Sequence, residues 1–328
     1  MLIAVLIPCL NEQAVIAGVV SGFRQALPGA TVFVYDNNST DSTVAVARAA
    51  GAVVRHEQQQ GKGHVVRRMF SDVEADIYVL VDGDGTYDPT AAPAMIGMLA
   101  ERQLDMVTGA RIGAGTHRPG HLFGNRLLTG LVRRIFGDRI SDMLSGYRVF
   151  SRRFVKSFPA LAGGFETETE FTVHALRLGM PISEVPTQYR ERRPASVSKL
   201  RTMRDGWRIL GTILLLLKDE KPALAFGVSG LGLVLLGVAL GTPVVLTYLD
   251  TGLVSRFPTA ILATGIELLA FLLFACGLIL DSVARGRKEA KRLAYLAIQG
   301  PVVPAQAGPG QAGPASPIFG STGPAPPS

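Results

Sequence analysis

The stretch "VLVDGDGTYDP", residues 79–89, runs from an apolar segment directly into a cluster of carboxylates separated by glycines and polar residues. An unbroken apolar run that ends at turn-forming residues is typical of a buried strand. Asp82 and Asp84 then lie at the carboxyl end of this strand, with Asp88 just beyond it. Two carboxylates so placed can bind one divalent cation, although a D-G-D-G sequence also forms ordinary turns.

Four segments have strand composition, at residues 2–8, 31–36, 52–56 and 77–82. Helical patterns follow the first three, and Asn11 is expected to cap the first helix. The alternation predicts an α/β domain with a doubly wound, Rossmann-like parallel sheet. Ligands of such sheets bind beyond the carboxyl ends of the strands. Three polar clusters are expected to meet there: residues 8–12, 36–41 and 82–88.

Two charge-poor segments lie further along the chain. Residues 222–249 carry no charged side chain, and residues 258–280 carry only Glu267. Each segment is long enough to cross a hydrocarbon core of about 30 Å as a helix. Basic residues flank the pair at its outer ends: Lys218, Lys221, Arg285, Arg287, Lys288, Lys291 and Arg292. By the positive-inside rule, the sequence predicts a multi-pass protein of the inner, cytoplasmic membrane with its large domain in the cytoplasm.

The net charge of +7 is concentrated in part beside these apolar segments. The chain has no groove-reading motif and no aromatic–basic interleaving, so nucleic acid is excluded as a partner and anionic membrane lipids are favoured. Cys9 and Cys276 lie in a strand and in an apolar segment, which excludes a disulfide framework.

Lys62 does not belong to a common phosphate-binding motif. The "GKG" sequence at 61–63 lacks the P-loop frame, and no G-x-G-x-x-G follows the first strand. P-loop NTPases and classical dinucleotide folds are therefore not supported. Lys62 is either a solvated loop lysine or part of a ligand site.

Seven short motifs, taken in order, resemble those of glycosyltransferase family 2, in its polyprenyl-phosphate branch similar to dolichol-phosphate mannose synthase. They are "IPCLNE", "VYDNNSTD", "GKG", "LVDGDGTYDP", "GAR", "DMLSGYRVFSRR" and "GFETETE". The resemblance covers residues 1 to about 200 and implies a GT-A fold. The paired apolar segments also suit this branch.

The resemblance also implies a set of site residues. Those assigned to the nucleotide sugar are Pro8, Leu10, Glu12, Asp36, Lys62, Asp82, Gly83 and Asp84. Asp82 and Asp84 would form the D-x-D-type motif, catalytic together with Arg111. Asp84 and Thr86 would hold Mg²⁺ or Mn²⁺. Here "DGDGTYD" replaces the more usual D-A-D-L-Q.

The acceptor is predicted to be a lipid phosphate. A sugar hydroxyl needs a general base, whereas a phosphate monoester is already mostly a dianion at neutral pH and needs cationic positioning. Basic residues are frequent between positions 111 and 199, Arg148 among them. The resemblance assigns the lipid phosphate to Arg111, Arg126, Thr129, Arg192, Ser198 and Lys199. Glu168 and Glu170 are either candidate bases for a hydroxyl acceptor or groups that orient arginines.

The sequence therefore predicts a membrane-bound, inverting glycosyltransferase that moves a hexose from a UDP- or GDP-linked sugar to undecaprenyl or dolichyl phosphate on the cytoplasmic leaflet. Two alternatives stay open: transfer to a sugar hydroxyl in polysaccharide synthesis, and a non-catalytic nucleotide-binding membrane scaffold. Glu267 could serve a homo-oligomer contact or the passage of lipid phosphate.

Five regions are predicted along the chain. They are a GT-A domain at 1–200, a juxtamembrane amphipathic helix at 201–221, a transmembrane hairpin at 222–283, a basic cytoplasmic segment at 284–298 and a disordered Pro/Gly-rich tail at 299–328. A core helix of the soluble domain is the alternative for 201–221.

Overall fold

The computed structural model describes residues 1–112, 141–160, 167–190 and 221–300, together with Gly130 and Gly211. The strands are β1 (Ile3–Cys9), β2 (Thr31–Asp36), β3 (Val53–His56), β4 (Ile77–Leu80), β5 (Met106–Ile112), β6 (Arg148–Ser151) and β7 (Ile182–Gln188). The helices are α1 (Ile16–Ala26), α2 (Thr43–Ala49), α3 (Lys62–Asp72), α4 (Ala92–Glu101), α5 (Arg152–Ser157), α6 (Thr167–Leu178), α7 (Pro222–Thr251) and α8 (Phe257–Leu296).

The strands form one seven-stranded sheet in the order β3-β2-β1-β4-β6-β5-β7. The first four strands are parallel, as predicted. β6, which lies outside the four predicted strands, runs antiparallel to both β4 and β5, so the complete sheet is mixed. The reason is that β6 directly follows residues 141–147, which lie at the carboxyl edge of the sheet, and the chain must therefore run back.

Both faces of the sheet are covered by helices. Val5, Leu6 and Ile7 of β1 are all fully buried. This explains why the strand reads as a continuous apolar run instead of an alternating one. Residues of α1 and α4 pack on one face, and residues of α3, α5 and α6 pack on the other.

The first helix begins later than predicted. α1 starts at Ile16, and Asn11 does not cap it. Asn11 has a φ of 52° and its Oδ1 accepts a 2.8 Å hydrogen bond from the Thr40 N–H. The side chain therefore ties the loop after β1 to the loop after β2. Asparagine tolerates this left-handed conformation better than most residues.

α7 and α8 form an antiparallel pair, 30 and 40 residues long, and both are long and apolar enough to cross a membrane. Buried positions on the two helices recur at seven-residue intervals, as in a left-handed coiled coil: Gly230, Gly237 and Val244, then Ala263, Ala270, Gly277 and Ala284. A Cβ added to Gly237 would lie 2.9 Å from Glu267 Cδ, so the Glu267 side chain faces the partner helix.

α8 continues through the predicted boundary at residues 283 and 284 as a single helix that ends at Leu296. The juxtamembrane helix expected at 201–221 lies outside the described residues, apart from Gly211 and Lys221. The tail expected at 299–328 also lies outside them, apart from its first two residues.

Candidate active site

The acidic turn after β4 packs directly against the end of β1. A Cβ added to Gly83 would overlap Cys9 Sγ and lie 3.2 Å from the Pro8 carbonyl oxygen. Pro8 and Leu10 are half-buried and Glu12 is buried. Two of the three predicted clusters therefore meet at one edge of the sheet, and the contact with β1 requires glycine at position 83.

The third cluster follows β2. Asp36 is buried, accepts a 3.2 Å hydrogen bond from the Ser39 N–H, and its Oδ2 lies 3.3 Å from His56 Nδ1. Asn37 binds three backbone groups of residues 57–61, at 2.9, 2.8 and 2.7 Å. The segment before α3 is thereby held at the crevice. Sequence reasoning missed this role of Asn37, for which the "DNNSTD" run is the only local signal.

Lys62, the first residue of α3, is the central cation of the crevice. Its ammonium donates hydrogen bonds to Asp82 Oδ1 and to Glu168 Oε1, and its side chain is only 9% exposed. The hypothesis of a solvated loop lysine was therefore wrong. Burial alone would lower the pKa of Lys62, but the carboxylates of Asp82 and Glu168 raise it overall, so the side chain is cationic at neutral pH.

Glu168 lies in the first turn of α6, and its side chain is 7% exposed. Lys62 binds Oε1, while Oε2 has no hydrogen-bond partner among the described residues. The sequence suggested either a base or a partner for arginines. The structure instead pairs Glu168 with a lysine that lies 106 residues earlier in the chain. Glu170, two residues on, is half-buried on the same helix.

Asp82 is enclosed on one side and open on the other. A Cβ added to Gly146 would overlap the Asp82 carboxylate, whose Cγ would lie 2.6 Å away. The Gly146 N–H donates a 2.8 Å hydrogen bond to Tyr87 Oη, which fixes this close approach. The Asp82 side chain is nevertheless 31% exposed. Burial, together with the neighbouring carboxylates of Asp84 and Glu168, raises the pKa of Asp82 despite the opposing effect of Lys62.

Asp84 and Thr86 form the candidate metal centre. The Asp84 carboxylate is buried, and its Oδ1 accepts hydrogen bonds from the Thr86 N–H at 3.1 Å and from Thr86 Oγ1 at 2.6 Å. No cluster of three or more His, Cys, Asp or Glu side chains suited to a metal occurs in the described part of the chain. A carboxylate and a hydroxyl oxygen fit Mg²⁺ or Mn²⁺, which commonly take further ligands from substrate phosphates and water.

Arg111 lies near the carboxyl end of β5 and is held by Asp142. Its Nε and Nη2 donate to the two Asp142 oxygens at 2.7 and 2.8 Å, and its guanidinium lies 5.5 Å from the centre of the Tyr189 ring. Burial would raise the pKa of Asp142, but the hydrogen bonds from Arg111 lower it overall. Arg111 is thus oriented and only 15% exposed.

Arg148 does not belong to a phosphate-binding cluster. Its side chain is fully buried, and its guanidinium donates to Met143 O at 2.6 Å, Ser145 O at 3.1 Å and Thr172 Oγ1 at 3.0 Å. Burial lowers the pKa of Arg148 to about 10, so it stays charged at neutral pH. It braces the segment that carries Gly146.

The other predicted acceptor residues, Arg126, Thr129, Arg192, Ser198 and Lys199, lie outside the described residues. The described residues that precede the last three, Tyr189 and Arg190, lie beside the acidic turn. The Arg190 N–H donates a 2.8 Å hydrogen bond to the Thr86 carbonyl oxygen, and Tyr189 forms an antiparallel bridge with Tyr87.

Comparisons with known proteins agree with this architecture. The model of the family described as "Glycosyl transferase family 2" matches residues 4–158. Glycosyltransferase AglJ of Haloferax volcanii is 32% identical over 305 residues, which cover 90% of this chain and 98% of that protein. The dolichyl-phosphate hexose transferase of the same organism is 26% identical over 221 residues, covering 67% of this chain and 95% of that one.

A solved structure has a similar fold. Glucosyl-3-phosphoglycerate synthase of Mycobacterium tuberculosis, in complex with Mn²⁺, UDP-glucose and phosphoglyceric acid, is 27% identical with a TM-score of 0.55. The match covers 65% of this chain and 78% of that one. The mixed sheet, the acidic crevice at its carboxyl edge and these similarities lead to one conclusion. The chain belongs to glycosyltransferase family 2, and it is a GT-A-type hexosyltransferase that uses a nucleotide sugar.

Proposed function

We propose that this enzyme transfers a hexose from a UDP- or GDP-linked sugar to polyprenyl phosphate at the cytoplasmic face of the membrane, with inversion at the anomeric carbon. The observation that carries the proposal is the contact between the catalytic sheet and the end of α8, through Tyr295 and Asp105. An enzyme joined in this way to two membrane-spanning helices is suited to an acceptor that stays in the bilayer.

The relatives support a lipid-linked acceptor. The similarity to glycosyltransferase AglJ extends over 90% of this chain, so it includes residues of the helix pair. The name of the dolichyl-phosphate hexose transferase includes a polyprenyl phosphate. We assign this class of lipid to the present chain as its acceptor.

Glu168 also favours phosphate over hydroxyl as the nucleophile. A hydroxyl acceptor needs a general base. Glu168, a candidate for that role, is instead bonded to the Lys62 ammonium. A phosphate monoester dianion needs no base. In the proposed reaction, an acceptor phosphate oxygen bonds to the anomeric carbon as the bond from that carbon to the donor β-phosphate oxygen breaks. The electron pair leaves with the nucleoside diphosphate.

The donor would lie along the carboxyl edge of the sheet. Asp36, with Pro8, Leu10 and Glu12, would hold the base and ribose. Asp82 would accept hydrogen bonds from the sugar hydroxyls, because its side chain is partly exposed at the crevice and Lys62 holds it in place. A carboxylate held in one orientation loses little entropy when the sugar binds.

Asp84 and Thr86 would hold Mg²⁺ or Mn²⁺. A divalent ion there supplies charge neutralisation for the diphosphate leaving group. The acceptor phosphate is assigned to Arg111, already oriented by Asp142, and to Arg126, Thr129, Arg192, Ser198 and Lys199. With the metal ion and these basic side chains in place, catalysis would consist mainly of positioning and electrostatic stabilisation.

The test is transfer of radiolabelled sugar into lipid. Purified full-length protein in detergent would be given undecaprenyl phosphate and, in parallel, UDP-glucose, UDP-N-acetylglucosamine and GDP-mannose, each with Mg²⁺, Mn²⁺ or EDTA. We expect label in the lipid from one donor, abolished by EDTA. Absence of lipid-linked label from every donor, in a preparation that binds nucleotide, would refute the lipid acceptor.

A further inference from the structure

Tyr295, near the end of α8, is buried in the core of the catalytic domain. It is 190 residues distant in sequence from Asp105, yet Tyr295 Oη donates a 2.6 Å hydrogen bond to Asp105 Oδ2. Tyr295 is 8% exposed and Asp105 is fully buried. The contact is therefore part of the packed interior of the domain.

Asp105 is bound from several sides at this point. Arg153 donates to its two oxygens at 3.1 and 2.8 Å, and Ser151 Oγ donates at 2.7 Å. The Arg153 guanidinium also lies 4.4 Å from the centre of the Tyr295 ring, a cation–π contact. The ring and the hydroxyl of Tyr295 thus both contribute to the docking of α8.

This docking point lies at the edge of the sheet opposite the crevice. Asp105 immediately precedes β5, whose carboxyl end carries Arg111. Six residues of strand, at roughly 3.3 Å each, separate the two positions by about 20 Å. Tyr295 therefore cannot touch substrate, and any influence on the reaction must act through the placement of the domain.

The course of α8 relates the crevice to the membrane. α6 runs from Glu168 at the crevice towards Leu178 at the opposite edge. α8 packs against both α5 and α6. The end of α8 is therefore held on the same face of the domain as the helix that carries Glu168.

We propose that Tyr295 is a positioning residue: by holding the end of α8 on Asp105, it fixes the placement of the crevice relative to the membrane helices and so to an acceptor in the bilayer. The part of α8 beyond residue 283 extends about 20 Å at 1.5 Å per residue, long enough to run along the height of the domain. A continuous helix of this kind transmits orientation rigidly. The inference rests on the proposed function, because it needs an acceptor that stays in the membrane.

The test compares two acceptors of the same chemistry. One is undecaprenyl phosphate in phospholipid vesicles that contain the full-length protein, and the other is citronellyl phosphate, a short-chain acceptor supplied from solution. We expect Tyr295→Ala to lower transfer to the vesicle-bound acceptor about tenfold and to leave transfer to the soluble acceptor unchanged, since only the first depends on the placement of the domain. Tyr295→Phe, which keeps the ring on Arg153, should lose less. Tyr248→Phe is the matched control, because Tyr248 is an exposed tyrosine of α7.

Two outcomes would overturn the proposal. Equal losses with both acceptors would show that Tyr295 only stabilises the fold, and no loss with either would show that the docking does not position the domain. Transfer by the wild-type protein to neither acceptor would instead refute the proposed function, and the role of Tyr295 in transfer with it.

A second measurement decides the docking without any transferase activity. Trypsin cleavage after Lys291 and Arg292 should be slow in the wild-type protein and faster in Tyr295→Ala, because the variant frees the end of α8. The same cleavage rate in both proteins would show that Tyr295 does not dock the helix.

Discussion

Lys62 and Asp82 form an ion pair across the crevice, between the first turn of α3 and the end of β4. Glu168 shares the same ammonium. A cation at the first turn of a helix is unfavourable with respect to the helix dipole, so the two carboxylates account for its position. One buried lysine thus connects the D-x-D-type turn to α6.

Replacing Lys62 with Met should lower kcat/KM about 100-fold and the free energy of unfolding by about 3 kcal/mol, because it leaves two carboxylates without their counter-charge. The matched control is Arg68→Met. The Arg68 side chain is 54% exposed and pairs with Asp72 one turn away. Its loss should change the free energy of unfolding little, because an exposed ion pair is weakened by water and salt. Steady-state kinetics and thermal unfolding measure both effects.

A second substitution makes this prediction sharper. In the Lys62→Met background, Glu168→Gln should restore part of the lost activity. The substitution removes the negative charge of Glu168, which repels the Asp82 carboxylate once the lysine is absent. Additive losses in the double variant would contradict the shared ion pair.

Gly146→Ala should displace Asp82 and lower kcat/KM about 100-fold, because the added Cβ would overlap the carboxylate that contacts the sugar. Binding of the free nucleoside diphosphate, which lacks the sugar, should be unchanged in isothermal titration calorimetry. Gly97→Ala is the control, since nothing lies within 4 Å of the corresponding Cβ and the position is helical. Wild-type kinetics for Gly146→Ala would show that Asp82 has more room than the structure indicates.

Asp84→Asn should lower activity about 100-fold and raise the Mn²⁺ concentration needed for half-maximal rate, because an amide is a weaker ligand for a hard cation than a carboxylate. Asp88→Asn is the comparison variant. Asp88 caps the turn at Thr90 and has no assigned role at the metal. Full activity of Asp84→Asn at low Mn²⁺ would remove Asp84 from the metal centre.

The lowered pKa of His174 predicts how the stability of the protein changes with pH. Burial, with the charges of Lys291 and Arg177, lowers its pKa from 6.5 to about 3, so the folded protein holds it neutral while the unfolded chain binds a proton below pH 6.5. The stabilisation that comes from keeping His174 neutral is complete above pH 6.5. As the pH falls from 6.5 towards 3, the free energy of unfolding decreases by about 1.4 kcal/mol per pH unit. Thermal unfolding from pH 7 to 5 should show a shallower decline in His174→Leu. Parallel declines in the two proteins would assign the effect to other groups.

Local patterns predicted much of the fold and of the crevice. The runs of β1, β2 and β4 and the acidic residues at their ends are contiguous in sequence, so hydrophobic pattern and turn chemistry suffice to find them. The direction of β6 could not be read locally, because a four-residue strand carries no mark of whether it runs with or against its neighbours. Asparagine is a residue type that commonly caps helices, but the Asn11 side chain accepts a hydrogen bond from the loop after β2 instead.

Long-range pairing accounts for the remaining differences. Lys62 has glycine neighbours typical of a solvated loop, and only the fold brings Asp82 and Glu168 to it. Arg148 looks like one more cation of a basic region, yet the carbonyl groups that bind it are buried with it. Nothing in the local sequence indicates a role for Gly146. Its role depends on the Asp82 carboxylate, which only the fold brings beside it.

The most direct test of the account is a matched pair of acceptors, undecaprenyl phosphate and undecaprenol, given with one labelled nucleotide sugar to the same purified enzyme. The two lipids differ only in the phosphate that we assign as nucleophile. The account predicts lipid-linked label with undecaprenyl phosphate and none with undecaprenol. Equal labelling of undecaprenol would contradict it, because the enzyme would then activate a hydroxyl.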